Sequence, residues 1–382
     1  MSEPLPHISW ADDEGQPQQA RWLSLAGHPP PKRVRVVDDS LSADAAYKLA
    51  CEGTGLLWAG DFHNARQLLQ ALGRRVDGKA RRGGKPAASL KDAFHAQRQA
   101  QAQRARVLGM LLLPFEADHG VPLRRAPDVR QAGLEAHGPM AEHYVGSLRE
   151  LQGLVGAFEW RKKGVEIPAL KGRIHPHHGV FSPVRGEYVA LVAQAPLPAA
   201  ARNAGAFDIG TGTGVLAAVL AQRGVKPLQA TELDPRALAC AADNLERLGL
   251  ASRVTLVQAD LFPKGKAGLI VCNPPWVPAR PSSPLEAAVY DPDSRMLRGW
   301  LAGLAAHLAP GGEGWLILSD LAEHLGLRSR DELLGWIADA GLLVLGRLDT
   351  RPAHRRAADT SDPLHAARAA EVTSLWRLGS RP

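Results

Sequence analysis

The chain has 382 residues, 45% of them hydrophobic, and a formal net charge of +7. The length suits two or three domains, the apolar share suits a buried core, and the basic excess favours polyanionic partners. Three well-separated cysteines, Cys51, Cys240 and Cys272, exclude a disulfide framework and a zinc ribbon, and no apolar run approaches the roughly 20 residues that span a bilayer. Glu3, Asp12, Asp13 and Glu14 do not fit a secretory leader, so a reducing cytoplasm is the expected address, with no membrane partner.

Residues 1–31 are polar and dotted with prolines, and are expected to be poorly ordered. An accessory region over 32–155 then begins as a small α/β unit. Residues 33–38 alternate basic side chains with valine like a short strand, 43–51 and 63–72 follow helical spacing, and 55–59 is an apolar strand. No glycine-rich loop lies in this unit, so it is read as non-catalytic. From Arg74 to Arg106, ten basic residues are opposed only by Asp77 and Asp92. Within it Arg81-Arg82-Gly83-Gly84-Lys85 reads as a basic loop and 90–113 as a long helix; the whole is either a solvated surface or a phosphate-contacting arm. Helices are expected over 126–136 and 140–154, and a basic linker over 156–179. The linker ends in His175-Pro176-His177-His178-Gly179. Pro176 and Gly179 make this a turn, and no carboxylate or cysteine adjoins it in sequence, so a loop without metal is expected.

From Val180 to the end, strands alternate with helices, which predicts an α/β domain over 180–382 with a parallel sheet and crossover helices. Strands are read at 206–209, 228–232, 254–259, 269–272, 314–318, 342–348 and 371–378, with helices at 214–223, 235–248, 295–308 and 330–340. The last two strands lack a clear helix between them and are expected to be antiparallel.

Gly210, Gly212 and Gly214 stand between the first of these strands and its helix, where the backbone must turn tightly and approach a ligand closely. Val215 stands where a dinucleotide fingerprint wants glycine, so the loop suits a nucleoside cofactor without phosphates. Asp208 precedes the glycines and is placed to receive an ammonium group. Glu232 ends the next strand, 22 residues beyond Gly210, where a carboxylate accepts from both hydroxyls of a ribose. Asp260 follows the third strand and is placed for an exocyclic amine, with Leu261 and Phe262 as apolar cover.

These motifs resemble those of class I S-adenosylmethionine (SAM)-dependent methyltransferases, and the resemblance spans about Val180 to Leu378. It implies a seven-stranded Rossmann-like core in which Asp208, Gly210, Thr211, Gly212 and Gly214 hold the methionine moiety, Glu232 and Leu233 the ribose, and Asp260 and Leu261 the adenine. The segment from Gly179 to Pro183, Phe181 included, resembles the one that packs over the cofactor in amino-methylating members.

Asn273-Pro274-Pro275-Trp276 follows the strand 269–272, 63 residues beyond Gly210. A planar nitrogen is a poor nucleophile. The Asn273 side-chain oxygen and the Pro274 carbonyl would accept its N–H bonds and turn its lone pair toward a methyl donor, also bringing Asn273 against the cofactor. Two prolines stiffen the turn, and Trp276 would stack on the flat group. The pattern resembles the [Asn/Asp]-Pro-Pro-aromatic motif of enzymes that methylate adenine, guanine or glutamine nitrogens, with tryptophan where phenylalanine or tyrosine is usual. Two acceptors are implied. The run to Pro278 resembles that of release-factor glutamine methyltransferases. The basic segment 74–106 and the loop Arg351–Arg368 fit the branch that methylates rRNA or tRNA bases, and RNA is the favoured reading. A SAM- and RNA-binding module without catalysis is the remaining alternative.

Overall fold

A computed structural model describes residues 6–12, 14–83, 87–183, 186–281, 284–351 and 362–381. They divide into two compact units, Met1–Ala87 with His95–Glu159, and Ala88–Phe94 with Trp160–Pro382.

Unit 1 holds a six-stranded sheet in the order β1-β2-β6-β5-β4-β3. Its strands are β1 (His7–Ala11), β2 (Pro17–Trp22), β3 (Arg33–Val37), β4 (Thr54–Trp58), β5 (Leu111–Phe115) and β6 (Tyr144–Ser147). The helices are α1 (Ala43–Cys51), α2 (Phe62–Gly83), α3 (Leu90–Gly109), α4 (Arg130–His137) and α5 (Leu148–Lys163), the first turn of α3 and the last of α5 being counted with unit 2. α1 carries the chain from β3 to its parallel neighbour β4, and α2 and α3 carry it on to β5.

Three expectations change here. Residues 1–31 contain the β1–β2 hairpin, because Pro6 and Pro17 stand at strand ends, where a missing N–H costs nothing, while Ile8, Ala20 and Trp22 turn inward. The apolar run ending at Phe115 leaves the helix after Gly109 to become β5, buried on both faces, a case that periodicity cannot separate from a buried helix. Residues 144–147 are β6 and not helix, which begins only at Leu148. At the end of β3, Asp39 accepts hydrogen bonds from the Asp61 N–H and the Asn64 side chain.

Unit 2 opens with the hairpin of β7 (Val165–Ile167) and β8 (Gly172–Ile174), whose Ile167 and Ile174 enter the unit's core. This part of the expected linker therefore belongs to the domain. After α6 (Glu187–Gln194) and α7 (Ala199–Ala204) come β9 (Ala206–Ile209), α8 (Val215–Gln222), β10 (Leu228–Glu232), α9 (Pro235–Arg247), β11 (Thr255–Gln258), β12 (Ala267–Cys272), α10 (Arg295–His307), β13 (Leu308–Ser319), α11 (Leu321–His324), α12 (Arg330–Asp339), β14 (Leu342–Thr350), α13 (His365–Ala370) and β15 (Thr373–Ser380). The seven strands lie in the order β11-β10-β9-β12-β13-β15-β14. The first five are parallel, and β15 is antiparallel to both β13 and β14. Two reversals leave β14 running with β13, so the chain after β14 leaves from the carboxyl edge, although 352–361 lie outside the described residues.

The sheet is covered on both faces. Leu269 and Val271 of β12 meet residues of α6 and α8, while Ile270 and Cys272 meet α10. Strands buried this way read as continuous apolar runs, as β12 does. At the β13–β15 seam, Glu313 accepts from Arg377 at 2.6 and 2.8 Å and from the Trp315 indole at 3.0 Å. Arg377→Ala strands a mostly buried carboxylate, with an expected cost of about 3 kcal/mol in urea unfolding. Replacing both Glu313 and Arg377 by leucine should cost less than Arg377→Ala alone. Equal losses would show that the ion pair does not matter as a pair.

Candidate active site

Parallel pairing sets Ile209 of β9 against Cys272 of β12. Their next residues, Gly210 and Asn273, therefore leave the sheet side by side. On the other flank, β10 pairs with β9 and β11 with β10, which brings Glu232 and the Asp260 turn to the same carboxyl edge. β9 is the strand at which the winding reverses direction, where open α/β sheets form a ligand crevice.

The loop after β9 uses its glycines for conformation. Gly210, Gly212 and Gly214 have φ of 70, 55 and 80°, a region that other residues rarely adopt. A Cβ added at Gly212 would meet nothing within 4 Å, so open space lies beside this backbone. The Gly210 and Thr211 N–H groups donate to the Thr231 carbonyl at 3.0 and 2.9 Å, and the Asn244 side chain donates to the Thr213 carbonyl at 3.1 Å.

The three acids have separate duties. Asp208 is 1% exposed and accepts the Thr211 hydroxyl at 2.6 Å and the Ala217 N–H at 3.0 Å. It braces the loop from beneath, where the sequence alone suggests a ligand to an ammonium group. Burial pushes its carboxyl up to about 6, against the two hydrogen bonds. Half-buried Glu232 accepts three backbone N–H groups, from Gly212 at 3.0 Å, Leu233 at 2.8 Å and Asp234 at 3.2 Å. A carboxylate has about four acceptor directions, so capacity remains for a hydroxyl. Leu233, beside it, is an exposed apolar side chain. Asp260 is exposed and accepts from Arg295 at 2.6 Å, so an amine would share it with that guanidinium. Leu261 has a φ of 71°, and its carbonyl accepts the Thr231 hydroxyl at 2.6 Å, which fixes this turn.

The histidine-rich segment is a strap pinned to α9. His177 Nε2 lies 3.0 Å from Asp243, the His177 N–H donates to Cys240 Sγ, and the His175 N–H donates to Asn244 at 2.7 Å. Cys240 and Asp243, remote in sequence, thus hold the strap. Among the described residues no group of three histidine, cysteine or acidic side chains could hold a metal ion. Beyond the strap, Val180 packs on Ala237 and Cys240, Phe181 is half-buried, and the Ser182 hydroxyl is buried without a hydrogen-bond partner among the described residues. Open space beside Gly212, spare capacity on Glu232, exposed Leu233 and the unpartnered Ser182 hydroxyl fit a nucleoside cofactor with an amino-acid arm.

In the acceptor motif Pro274 is buried and Asn273 half-buried. The Trp276 indole N–H donates to Asn273 Oδ1 at 2.8 Å. The Trp276 ring packs beside protein apolar clusters, among them Phe94, Val277 and Leu325. It is thus engaged by the protein, where the sequence suggests a face that stacks on the substrate. Burial drives the Cys272 thiol well above its ordinary value, which keeps it protonated.

Sequence reasoning misses Asp291 and Met296. Asp291 is 5% exposed and accepts the N–H groups of Met296 at 2.9 Å and Leu297 at 3.2 Å, while its own N–H donates to the Val277 carbonyl. It ties the loop beyond Trp276 to the start of α10. An aspartate just ahead of a helical pattern is the available signal. The Met296 methyl lies where a Cβ on Gly210 would be, 2.6 Å away.

Known methyltransferases are similar to this chain. The methyltransferase small domain family model matches residues 171–324. A tRNA1(Val) (adenine(37)-N6)-methyltransferase from Shewanella loihica is 32% identical over 186 residues, 46% of this chain and 72% of that protein. A release factor glutamine methyltransferase from Cereibacter sphaeroides is 35% identical over 162 residues; the match spans 38% of this chain and 56% of that protein. A solved SAM-dependent methyltransferase from Thiobacillus denitrificans, in complex with S-adenosyl-L-homocysteine, is 17% identical with a TM-score of 0.37, covering 54% of this chain and 95% of that one.

The raised Asp208 carboxyl has a consequence for stability. Folded Asp208 holds its proton up to about pH 6 while the unfolded chain releases it near 3.8. This group's contribution is therefore fully present below the unfolded value and declines as pH rises through that window. Asp208→Asn should remove the decline, shifting the variant's unfolding free energy relative to wild type by about 2 kcal/mol in its favour between pH 4 and 7. Parallel pH profiles in urea titrations would sink the assignment.

Proposed function

The chain belongs to the methyltransferase small-domain family of SAM-dependent enzymes, and from that premise we propose that it methylates an exocyclic amine of an RNA base, in rRNA or tRNA, in the cytoplasm. The observation that carries the reading is the emergence of Gly210 and Asn273 side by side from paired strands. The cofactor, when bound, supplies an electrophilic methyl group on a sulfonium.

The protein's part is placement. The Gly210–Gly214 loop and Glu232 hold the amino-acid arm and ribose, with Leu233 and the Asp260–Leu261 turn on the base side and Phe181 over them. The Asn273 side-chain oxygen and the Pro274 carbonyl accept the N–H bonds of the acceptor amine, directing its lone pair along the line of transfer. Both oxygens sit on a turn stiffened by Pro274 and Pro275, so little ordering is left for the moment of reaction. The nitrogen becomes acidic once methylated and sheds its proton to water, so no side chain need remove it beforehand.

Charge supports RNA over protein. The segment 74–106 holds ten basic residues, of which exposed Arg74 and Lys91 lie on α2 and α3, while Arg75 and Arg104 are held by Asp44 and Asp77. The relative that methylates tRNA adenine is similar over more of its length than the glutamine enzyme. In the other direction, the run Asn273-Pro274-Pro275-Trp276-Val277-Pro278 supports a glutamine side chain as a second reading. No described helix is long and apolar enough to cross a membrane.

Methyl-labelled SAM and an extract of cells lacking the enzyme separate the readings: label in RNA is expected, and label in protein would overturn the first reading in favour of the second. Asn273→Ala should lower turnover roughly a hundredfold or more, with cofactor affinity nearly unchanged. Wild-type turnover in that variant would end the assignment. Glu232→Ala should weaken cofactor binding roughly 10- to 100-fold by isothermal titration, which an unchanged titration would refute. RNA affinity should fall at least about tenfold between 50 and 200 mM salt, and a flat response would count against a phosphate-contacting surface.

A further inference from the structure

We propose that Trp276 is a positioning residue, whose indole N–H selects the amide orientation of Asn273 in which oxygen, and not the NH2 group, meets the acceptor nitrogen. The inference rests on the reading of Asn273 as the group that accepts the amine's N–H bond. A carboxamide fits its site almost equally well in either of two orientations, because oxygen and NH2 are nearly the same size. In the wrong one, Asn273 would present N–H to N–H and repel the acceptor. An indole nitrogen only donates, so at 2.8 Å it is compatible with oxygen alone. One lone-pair direction of Oδ1 is then taken by Trp276 and the other stays available to the substrate.

The surroundings make this contact hard to exchange. The ring is half-buried and packs beside Val277 and Leu325, which offer the indole N–H no side-chain acceptor. A buried indole N–H seeks a partner, and Asn273 is the one it has. Phenylalanine at this position has no donor. A tyrosine hydroxyl would lie at the far end of the ring, away from Asn273. The tryptophan in this motif therefore carries a function that its usual aromatic replacements cannot supply.

The test is a double-mutant cycle of Trp276→Phe and Asn273→Asp. It uses the full chain, saturating SAM, and whichever unmodified polymer from cells lacking the enzyme accepts label from wild type. A carboxylate has two equivalent oxygens and no orientation to select. Trp276→Phe should lower kcat roughly five- to tenfold with KM within about twofold, as expected for one lost hydrogen bond. In the Asn273→Asp background the same change should cost less than about twofold. An equal loss in both backgrounds, or wild-type kcat in Trp276→Phe, would overturn the proposal and leave the methyltransferase reading intact.

A second measurement needs neither a substrate nor a folded Trp276 variant. In 15N-tryptophan-labelled wild type, the Trp276 indole N–H should exchange slowly with solvent at a downfield shift. Asn273→Ala should abolish both properties for that resonance alone. An unmoved resonance would overturn the proposal even if the wild type transfers no methyl group, an outcome that would sink the functional reading separately.

Discussion

The site depends on the register between β9 and β12. Each residue advances a strand by about 3.3 Å, so a slip of two residues would carry Asn273 nearly 7 Å along from Gly210. Methyl transfer tolerates no such error, because reacting atoms must start about 3–3.5 Å apart. Register is usually set by one polar and one apolar face, but β12 is buried on both and has no such guide. Backbone contacts at the amino ends supply it. The Gly268 and Leu269 N–H groups both donate to the Gly205 carbonyl, at 3.1 and 3.2 Å. A side chain at Gly268 would run into the Ala200 carbonyl of α7. The fit therefore holds only with glycine at that point of the strand, four residues short of Cys272.

The carboxyl edge concentrates negative charge. Asp208, Asp291 and Glu232 all act on buried Cys272, raising its thiol beyond the effect of burial alone. Each acid is compensated locally by hydrogen bonds from backbone or hydroxyl donors, and Asp260 at the periphery pairs with Arg295. Hydrogen bonds do not cancel net charge, so a field of this sign favours a cationic ligand and disfavours further carboxylates nearby. A neutral amide at 273 suits that setting. It accepts hydrogen bonds as a carboxylate does, without the cost of placing another anion beside three existing ones.

Much of this was legible in the sequence. The elements of unit 2 follow the alternation of apolar strands and helices, and the glycine loop and proline turn declare themselves because their conformations admit few residues. The sequence was less informative where an interaction is made across space. Asp208 at a strand end looks the same whether it faces a ligand or braces its own loop; only the positions of Thr211 and Ala217 decide. Trp276 reads as a stacking platform until its ring is seen packed beside Val277 and its N–H bound to Asn273. The His175–His177 strap reads only as a turn because Cys240, Asp243 and Asn244 lie some 65 residues on, across two strands and three helices. In unit 1 the misreadings at Leu111 and Tyr144 have one cause: strands of four and five residues buried on both faces carry no period to detect.

The role proposed for Asn273 needs a fixed oxygen, and the segment bearing it is anchored at both ends. On one side Cys272 ends a fully buried strand paired with β9 and β13. On the other, Val277 pairs with Tyr290, and Asp291 joins the same carbonyl to the first turn of α10. Between these anchors stand two prolines with preset φ, and the residue after them is tied back to Asn273 through its indole. Few soft torsions remain in the stretch. Orienting a carbonyl oxygen after the acceptor arrives would cost entropy at the moment it is needed. Here that cost has been met during folding, by strand pairing and by the desolvation of Pro274, Val277 and Asp291.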